Sequence, residues 1–257
     1  MKIHFVESNY SKDSLKQYYT ELYNNYSYEE CDVVVCIGGD GFLLEFLHTI
    51  LSDKDIVNKP VYGINTGTVG FLLNSYNKED DILLKIKNSK NIVLNPLCAT
   101  VYDKNDKIFC KYAFNEVSLY RQTRQAAKLT VSINDKTRIE EIIGDGILLS
   151  TPAGSTAYNR SAGGPIVPLG GNLLPLTPIC PFRPRNWHGA LLPYNSIVKI
   201  EVNEEEKRPV ALVADSFEIQ YVVKAYISIA KDISVNLLFN DKDCLEEKIF
   251  SEQFYNI

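Results

Sequence analysis

The run Val33-Val34-Val35-Cys36-Ile37 halts at Gly38-Gly39-Asp40-Gly41, and no other junction constrains the chain as tightly. An apolar run without alternation, rich in Val and Ile, reads as a strand buried on both faces. The amphipathic stretch from Phe42 to Leu51 follows at once, so the glycines must make a tight strand-to-helix turn. Glycine lets an anion approach the backbone closely, and the N–H groups of such a turn and of the helix start attract a phosphate. Asp40 conflicts with that cradle, because a carboxylate repels a phosphate unless a cation or a proton-transfer role accounts for it. The combination points to phosphoryl transfer, with Asp40 as a base or as the partner of a magnesium ion. No Gly-Lys-Ser/Thr follows, so the turn is not a Walker loop, and it does not fit Gly-x-Gly-x-x-Gly either.

Composition narrows the partners. The net charge of −5 over 257 residues gives no global field for nucleic acid or an anionic membrane. No apolar stretch approaches the roughly 18 residues that span a bilayer. Met1 to Val6 reads as a first strand rather than a signal peptide, so a cytoplasmic protein is expected. The six cysteines form no Cys-x-x-Cys pair, and with three histidines zinc-ligand spacing is absent. Reduced thiols and no protein-borne metal ligand are expected, with Cys36 and Cys110 as small core residues.

The first ninety residues alternate in type: strand at Lys2–Glu7, helix at Ser11–Tyr26, strand at Asp32–Gly38, helix at Gly41–Leu51, strand at Pro60–Asn65 and helix at Lys78–Asn88. Alternation of this kind predicts an α/β domain with a Rossmann-like parallel sheet, whose ligands bind at the carboxyl ends of the strands. Short strand-like runs follow at Val101–Asp103, Phe109–Tyr120, Lys128–Ile133, Ile147–Ser150, Ile197–Val202, Val210–Ala214 and Phe217–Val222. Hairpin connections are expected at Asn134–Lys136 and Asn203–Arg208, and the acidic run Glu204–Glu206 reads as a solvated loop. This half predicts a β-rich, antiparallel, sandwich-like domain. The expected boundaries are 1–92 for the α/β domain and 93–234 for the β-rich one. The strand-like stretch Ile227–Leu238 is read as returning to the first domain, onto which the segment 235–257 would pack.

Two further constellations carry polar chemistry. Gly144-Asp145-Gly146 leads through a short buried run into Ser150-Thr151-Pro152-Ala153-Gly154-Ser155-Thr156-Ala157-Tyr158, and Gly163-Gly164-Pro165 ends the segment. Ser-Thr-Pro supplies a capping hydroxyl and a proline suited to a helix start. The density of hydroxyls favours a ligand-facing loop over a packed corner, and Tyr158 offers a flat face for a base. Asn115-Glu116 interrupts an apolar strand with two adjacent polar groups, which requires the strand to end or bend there. Such a pair can read ribose hydroxyls or a carboxamide.

Together these blocks resemble the NAD kinase family, in order and over most of the chain. The resemblance rests on Gly38–Gly41, Gly63-Ile64-Asn65-Thr66-Gly67-Thr68-Val69-Gly70-Phe71-Leu72, Asn115-Glu116, Gly144–Gly146, Ser150–Tyr158, Ser161-Ala162-Gly163-Gly164-Pro165-Ile166 and a later loop at Leu176–Pro181. The glycine turn is shared with lipid kinases and phosphofructokinases. The long serine-threonine-tyrosine block is specific to NAD kinases. The resemblance implies transfer of the γ-phosphate of ATP to the 2′-hydroxyl of the adenosine ribose of NAD, in a cleft between the two domains. It implies Asp40 as proton acceptor and Gly38, Gly39 and Gly41 as phosphate contacts. For NAD it implies Asp40, Gly41, Asn115, Glu116, Asp145, Ala153, Thr156, Ala157, Tyr158, Asn159, Arg160 and Ser161. Magnesium would arrive with ATP, and a homodimer or homotetramer would be usual. Phe42, Ala153, Ile143 and Ser216-Phe217 depart from the residues common at those places. The rival readings are a lipid or other small-molecule kinase sharing the turn, and a non-catalytic NAD(P)-binding sensor.

Overall fold

A computed structural model describes residues 1–9, 14–51 and 59–254. The chain divides into two compact units, residues 1–95 with 232–251, and residues 96–231 with 252–257.

The first unit is built on a five-stranded sheet of β1 (Ile3–Glu7), β2 (Val33–Gly38), β3 (Val61–Asn65), β4 (Lys90–Leu94) and β17 (Val235–Phe239), in the order β1-β2-β3-β17-β4. The pairs β1–β2, β2–β3 and β3–β17 are parallel, and only β4 runs antiparallel to its neighbour. Every residue of β2 is buried, as the run of Val and Ile predicts. Val33, Val35 and Ile37 pack with Phe5, Tyr62, Ile64 and Tyr19 of helix α1 (Leu15–Tyr23), and with Ile82 and Ile86 of α3 (Ile82–Lys87). Helix α2 (Asp40–Leu51) buries Leu43, Phe46, Leu47 and Ile50, the i, i+3, i+4, i+7 stripe of an amphipathic helix.

Two helices are shorter than the periodicity predicts. Helix α1 stops at Tyr23 because Asn24 turns left-handed (φ 61°) and its N–H closes on the Thr20 carbonyl at 3.0 Å; Tyr26 N–H then joins the Ile3 carbonyl. Residues 11–13 of the expected helix lie outside the described residues. Helix α3 begins after Asp81, whose carboxylate accepts the N–H groups of Leu83 and Leu84 and so sets the start.

The second unit packs two six-stranded antiparallel sheets. One has the order β6-β5-β16-β13-β8-β9, from β5 (Leu97–Asp103), β6 (Ile108–Ala113), β8 (Ala127–Ile133), β9 (Lys136–Gly144), β13 (Val198–Val202) and β16 (Val222–Ile229). The other has the order β12-β11-β10-β7-β14-β15, from β7 (Glu116–Arg121), β10 (Gly146–Ser150), β11 (Leu173–Ile179), β12 (Ala190–Pro193), β14 (Val210–Ala214) and β15 (Phe217–Ile219). One apolar cluster joins them, Leu97, Ala99 and Val101 of the first sheet with Val117, Leu119 and Ile147 of the second among its members. This is the face-to-face sandwich solution for strands with one apolar face.

Several expectations need correction here. The run Phe109–Tyr120 is two strands in different sheets, β6 and β7, broken at Phe114–Asn115. Asn203–Arg208 is not a hairpin, since β13 and β14 belong to different sheets; Asn134–Asp135 is one, both residues holding positive φ between β8 and β9. Leu176–Ile179 is the C-terminal half of β11 rather than a loop, paired with β10. Ile227–Leu238 contains the end of β16, in the second unit, and most of β17, in the first. Cys36 is buried, but Cys110 is exposed because β6 is an edge strand and Cys110 lies on its outer face. Among the described residues no helix is long and apolar enough to cross a membrane.

Candidate active site

In the first unit, Gly38 ends β2 and Asp40 opens α2, so the glycine turn sits at the carboxyl edge of the parallel sheet. The Gly39 carbonyl accepts the first helical bond, from Leu43 N–H at 3.1 Å. The N–H groups of the first helical turn have no intrahelical acceptor, which suits that end to an anion. Gly41 is exposed and a Cβ there would meet nothing. At Gly38 a Cβ would come within 2.7 Å of the Phe42 ring, so that ring lies against a position that must stay bare.

Asp40 does more than face outward. Its Oδ2 accepts the Phe71 N–H at 2.8 Å and its Oδ1 the Leu72 N–H at 2.7 Å. The segment 65–72 is thereby tied to the turn. Thr66 N–H adds a bond to the Gly38 carbonyl (2.9 Å), and Asn65 Oδ1 accepts Gly67 N–H (2.9 Å). A Cβ on Gly67 would lie 3.3 Å from the Gly39 Cα, so the two loops run backbone to backbone. Lys248 Nζ donates to the Gly70 carbonyl at 2.8 Å, and buried Asn74 donates from its amide to the carbonyls of Gly63 (3.0 Å) and Leu238 (2.9 Å). Residue patterns alone did not single out Asn74 or Lys248. The one available hint was Asn74, an amide closing the apolar run Phe71-Leu72-Leu73.

In the second unit the break between β6 and β7 puts Asn115 and Glu116 at a strand start. A second carboxylate ties down this turn: Asp215 Oδ2 accepts Phe114 N–H (2.7 Å) and Oδ1 accepts Asn115 N–H (3.0 Å). Asp215 occupies the two-residue turn between β14 and β15 with φ 49°, a conformation that Asp tolerates, and its own N–H reaches the Glu116 carbonyl. From the other side Thr151 N–H and Ser150 Oγ both donate to the Asn115 carbonyl. Gly154 lies so close to Asn115 that no side chain fits between them. Glu116 is largely buried, its Oε2 has no hydrogen-bond partner, and the Tyr158 N–H is bonded to its carboxyl. Burial first, and the Asp215 charge second, push the Glu116 carboxyl up to about 8.

The hydroxyl-rich block divides into two sets. Ser150, Thr151 and Ser155 are buried and bonded to neighbouring backbone: Thr151 Oγ1 accepts Gly154 N–H (2.9 Å) in the 3₁₀ turn Ala153–Thr156, and Ser155 Oγ accepts Val167 N–H (3.0 Å). Asn159, expected among the NAD contacts, is also buried. Its amide donates to the Ser155 and Pro165 carbonyls and accepts the Thr177 hydroxyl at 2.7 Å. Ala153 is buried too. These groups build the loop, so the many hydroxyls serve packing more than was expected. Thr156, Ala157, Tyr158, Arg160 and Ser161 keep solvent access.

Tyr158 and Asp145 share an open pocket of about 530 Å³ with Tyr120, Arg121, Gln122 and Arg124. Asp145 stands between β9 and β10, where Gly144 and Gly146 allow close passage past the Ile179–Cys180 and Leu119 carbonyls. Arg121 Nε pairs with Asp145 Oδ1 at 2.6 Å, so the neighbouring strand β7 supplies a cation to this carboxylate. Tyr120 and Tyr158 place their rings 5.9 Å apart, tilted, with their hydroxyls hydrogen-bonded. The pocket thus combines aromatic faces with both signs of charge, which suits a nucleoside. Of its residues, Tyr120 ends the strand-like run read in the sequence, and no expectation was attached to Arg121 or Gln122.

Comparison with known proteins agrees with this arrangement. The ATP-NAD kinase N-terminal domain matches residues 2–86, and the ATP-NAD kinase C-terminal domain residues 114–231. The NAD kinase of Xanthomonas campestris pv. campestris (strain 8004) is 48% identical over 235 residues, covering 91% of this chain and 90% of its own. That of Rickettsia canadensis (strain McKiel) is 43% identical over 258 residues and 99% of both chains. Yeast NADH kinase complexed with NADH has the same fold at a TM-score of 0.82, 20% identity, and coverage of 100% of this chain and 88% of its own. An NAD kinase from Archaeoglobus fulgidus in complex with ATP follows at 0.76 and 22%, covering 98% and 99%. With both family domains matched in order and near-half identity over nine-tenths of its length, the chain belongs to the NAD kinase family.

Proposed function

We propose that the chain transfers the γ-phosphoryl group of ATP to the 2′-hydroxyl of the adenosine ribose of NAD, with Asp40 as proton acceptor. The observation that carries the reading is Asp40 in the glycine turn, its carboxylate oriented by the Phe71 and Leu72 N–H groups. Each oxygen retains a lone pair, so the anchored group still accepts a proton. The ribose oxygen bonds to phosphorus as the bond to ADP breaks, and the hydroxyl proton passes to Asp40 and then to water. Gly38, Gly39 and Gly41 leave the helix start bare for phosphate oxygens. For the dinucleotide we assign Gly41, Asn115, Glu116, Asp145, Thr156, Ala157, Tyr158, Arg160 and Ser161, with Asn159 and Ala153 shaping the loop behind them.

Among the described residues no three His, Cys, Asp or Glu side chains converge as a metal cage. A magnesium ion would arrive with ATP, taking its ligands mainly from phosphates and water. When bound, the ion neutralises phosphate charge. A homo-oligomer working in the cytoplasm completes the proposal. NADP detected by mass after incubation with NAD, ATP and magnesium supports it. Phosphorylation of a diacylglycerol instead, or NAD binding without product, overturns it in favour of the lipid kinase or the sensor.

A further inference from the structure

We propose that Glu116 meets the dinucleotide as a neutral carboxylic acid, its proton on the buried Oε2 and donated to an acceptor of the ligand, with Asp215 as the residue that positions it. This rests on the reading of the second unit as the NAD-binding part.

Two carboxyls interact here, those of Glu116 and Asp215. Asp215 has a donor for each oxygen, the N–H groups of Phe114 and Asn115. Glu116 has one backbone donor, Tyr158 N–H, and its Oε2 is buried with no partner. The Asp215 charge, acting on a largely buried neighbour, disfavours a second charge on Glu116. The proton therefore sits where no donor already occupies the oxygen, on Glu116. The groups that face it come from three elements: Asp215 from the β14–β15 turn, the Tyr158 N–H from the start of helix α4 (Tyr158–Ser161), and Tyr120 further along β7, whose phenol feels the Glu116 charge. Among the described residues no Lys, Arg or His acts on it. A buried carboxylate would have no cation to offset it, whereas a buried acid with an empty Oε2–H position has a proton to give. An ionised Glu116 can only accept a hydrogen bond; the neutral form donates one. The same carboxyl also lies next to Asn115, an amide with both donor and acceptor, so the pair can match a carboxamide or a hydroxyl only in one protonation state. Asp215 acts through this turn: it holds the 114–116 backbone in place, and its charge keeps the neighbouring proton on.

The experiment measures NAD affinity, without ATP, from pH 6 to pH 9.5 for the wild type, Glu116→Gln and Asp215→Asn. The wild type should lose about tenfold in affinity as pH rises through 8, which is the loss of one hydrogen bond to a newly charged group. Glu116→Gln keeps a donor that never ionises and should bind with one affinity across the range. Asp215→Asn removes the like charge, so its loss of affinity should begin at lower pH. A flat wild-type profile, or a Glu116→Gln profile that falls in parallel with it, overturns the proposal. Infrared difference spectra of wild type minus Glu116→Gln at pH 7 decide the proton independently of ligand: a protonated carboxyl band supports the proposal, and a carboxylate band overturns it. If that band is present but NAD binds at no pH, the functional reading fails, and the ligand half of this inference fails with it.

Discussion

Two turns in this molecule are built on one plan and differ in one respect. In the first unit Asp40 receives the N–H groups of Phe71 and Leu72; in the second Asp215 receives those of Phe114 and Asn115. Each carboxylate locks a neighbouring loop by two consecutive backbone donors, a strong charge-assisted arrangement. Asp40 stands at the glycine-lined mouth of a sheet, beside exposed Gly41 and the exposed stretch 66–69. Asp215 stands beside a largely buried carboxyl with an unpartnered oxygen. The same device therefore fixes a carboxylate in the glycine turn in one place. In the other it organises a buried polar pair and biases its proton.

The comparison can be tested by substitution, beginning with the largest effect. Asp40→Asn removes the base and turns an N–H₂ toward one of the two backbone donors. Turnover should fall by roughly 10²–10⁴, with NAD affinity changed little. Steady-state kinetics alongside equilibrium binding check this, and loss of binding equal to loss of turnover would make Asp40 a loop anchor only. Asp215→Ala should strand two backbone N–H groups and loosen the Asn115–Glu116 turn. Unfolding free energy should drop by roughly 1–3 kcal/mol, and NAD affinity with it, in denaturant titrations and binding assays on the same sample. Glu116→Ala should weaken NAD binding by a similar roughly 1–3 kcal/mol while the fold survives.

Glu116→Gln sharpens the contrast through pH. Because the folded-state carboxyl is raised to about 8, the native protein holds a proton that the unfolded chain has already released. Wild-type stability from this group is full below the unfolded value near 4.5, declines as pH rises toward 8, and stays low above it. Glu116→Gln should therefore gain stability relative to wild type at pH 8, with the gap closing at pH 4, in chemical denaturation at the two pH values. The smallest effect belongs to Tyr158. Its ring is 39% exposed, outside the core, so Tyr158→Ala should cost roughly 1 kcal/mol in NAD affinity and little stability, while Tyr158→Phe retains most of the contact. Lost stability with intact affinity would return the ring to a packing role.

How much of this was legible in the residues depends on the range of the interaction. Strand β2, the glycine turn and helix α2 were readable because Val33–Ile37 and the stripe from Leu43 to Ile50 carry local periodicity. The break at Asn115-Glu116 was readable because two adjacent polar residues cannot both fit an apolar strand. What closes that turn was not readable, since Asp215 lies a hundred residues away in sequence and meets it only through the pairing of β14 with β7. The same holds for Lys248 on Gly70 and for Asn74 on Leu238. The block from Ser150 to Asn159 misled in one direction, because hydroxyl and amide groups satisfy buried carbonyls as readily as ligands. Ser155 and Asn159 do the former. Cys110 misled because an edge strand looks like an inner one in sequence. β4, β9 and β12 escaped notice for a related reason: Lys90-Asn91 and Lys136–Glu141 are polar edge segments with little apolar alternation.

The central claim is phosphorylation of NAD on its adenosine ribose by an enzyme whose base is Asp40. The most direct test is a single-turnover reaction of wild type and Asp40→Asn with saturating NAD, ATP and magnesium, with product mass and the position of the new phosphate read together. The account predicts 2′-phosphorylated NAD from the wild type and formation slowed by at least about 10² in the variant, with NAD still bound. NADP formed at near wild-type rate by Asp40→Asn, or no NADP from the wild type, would contradict it.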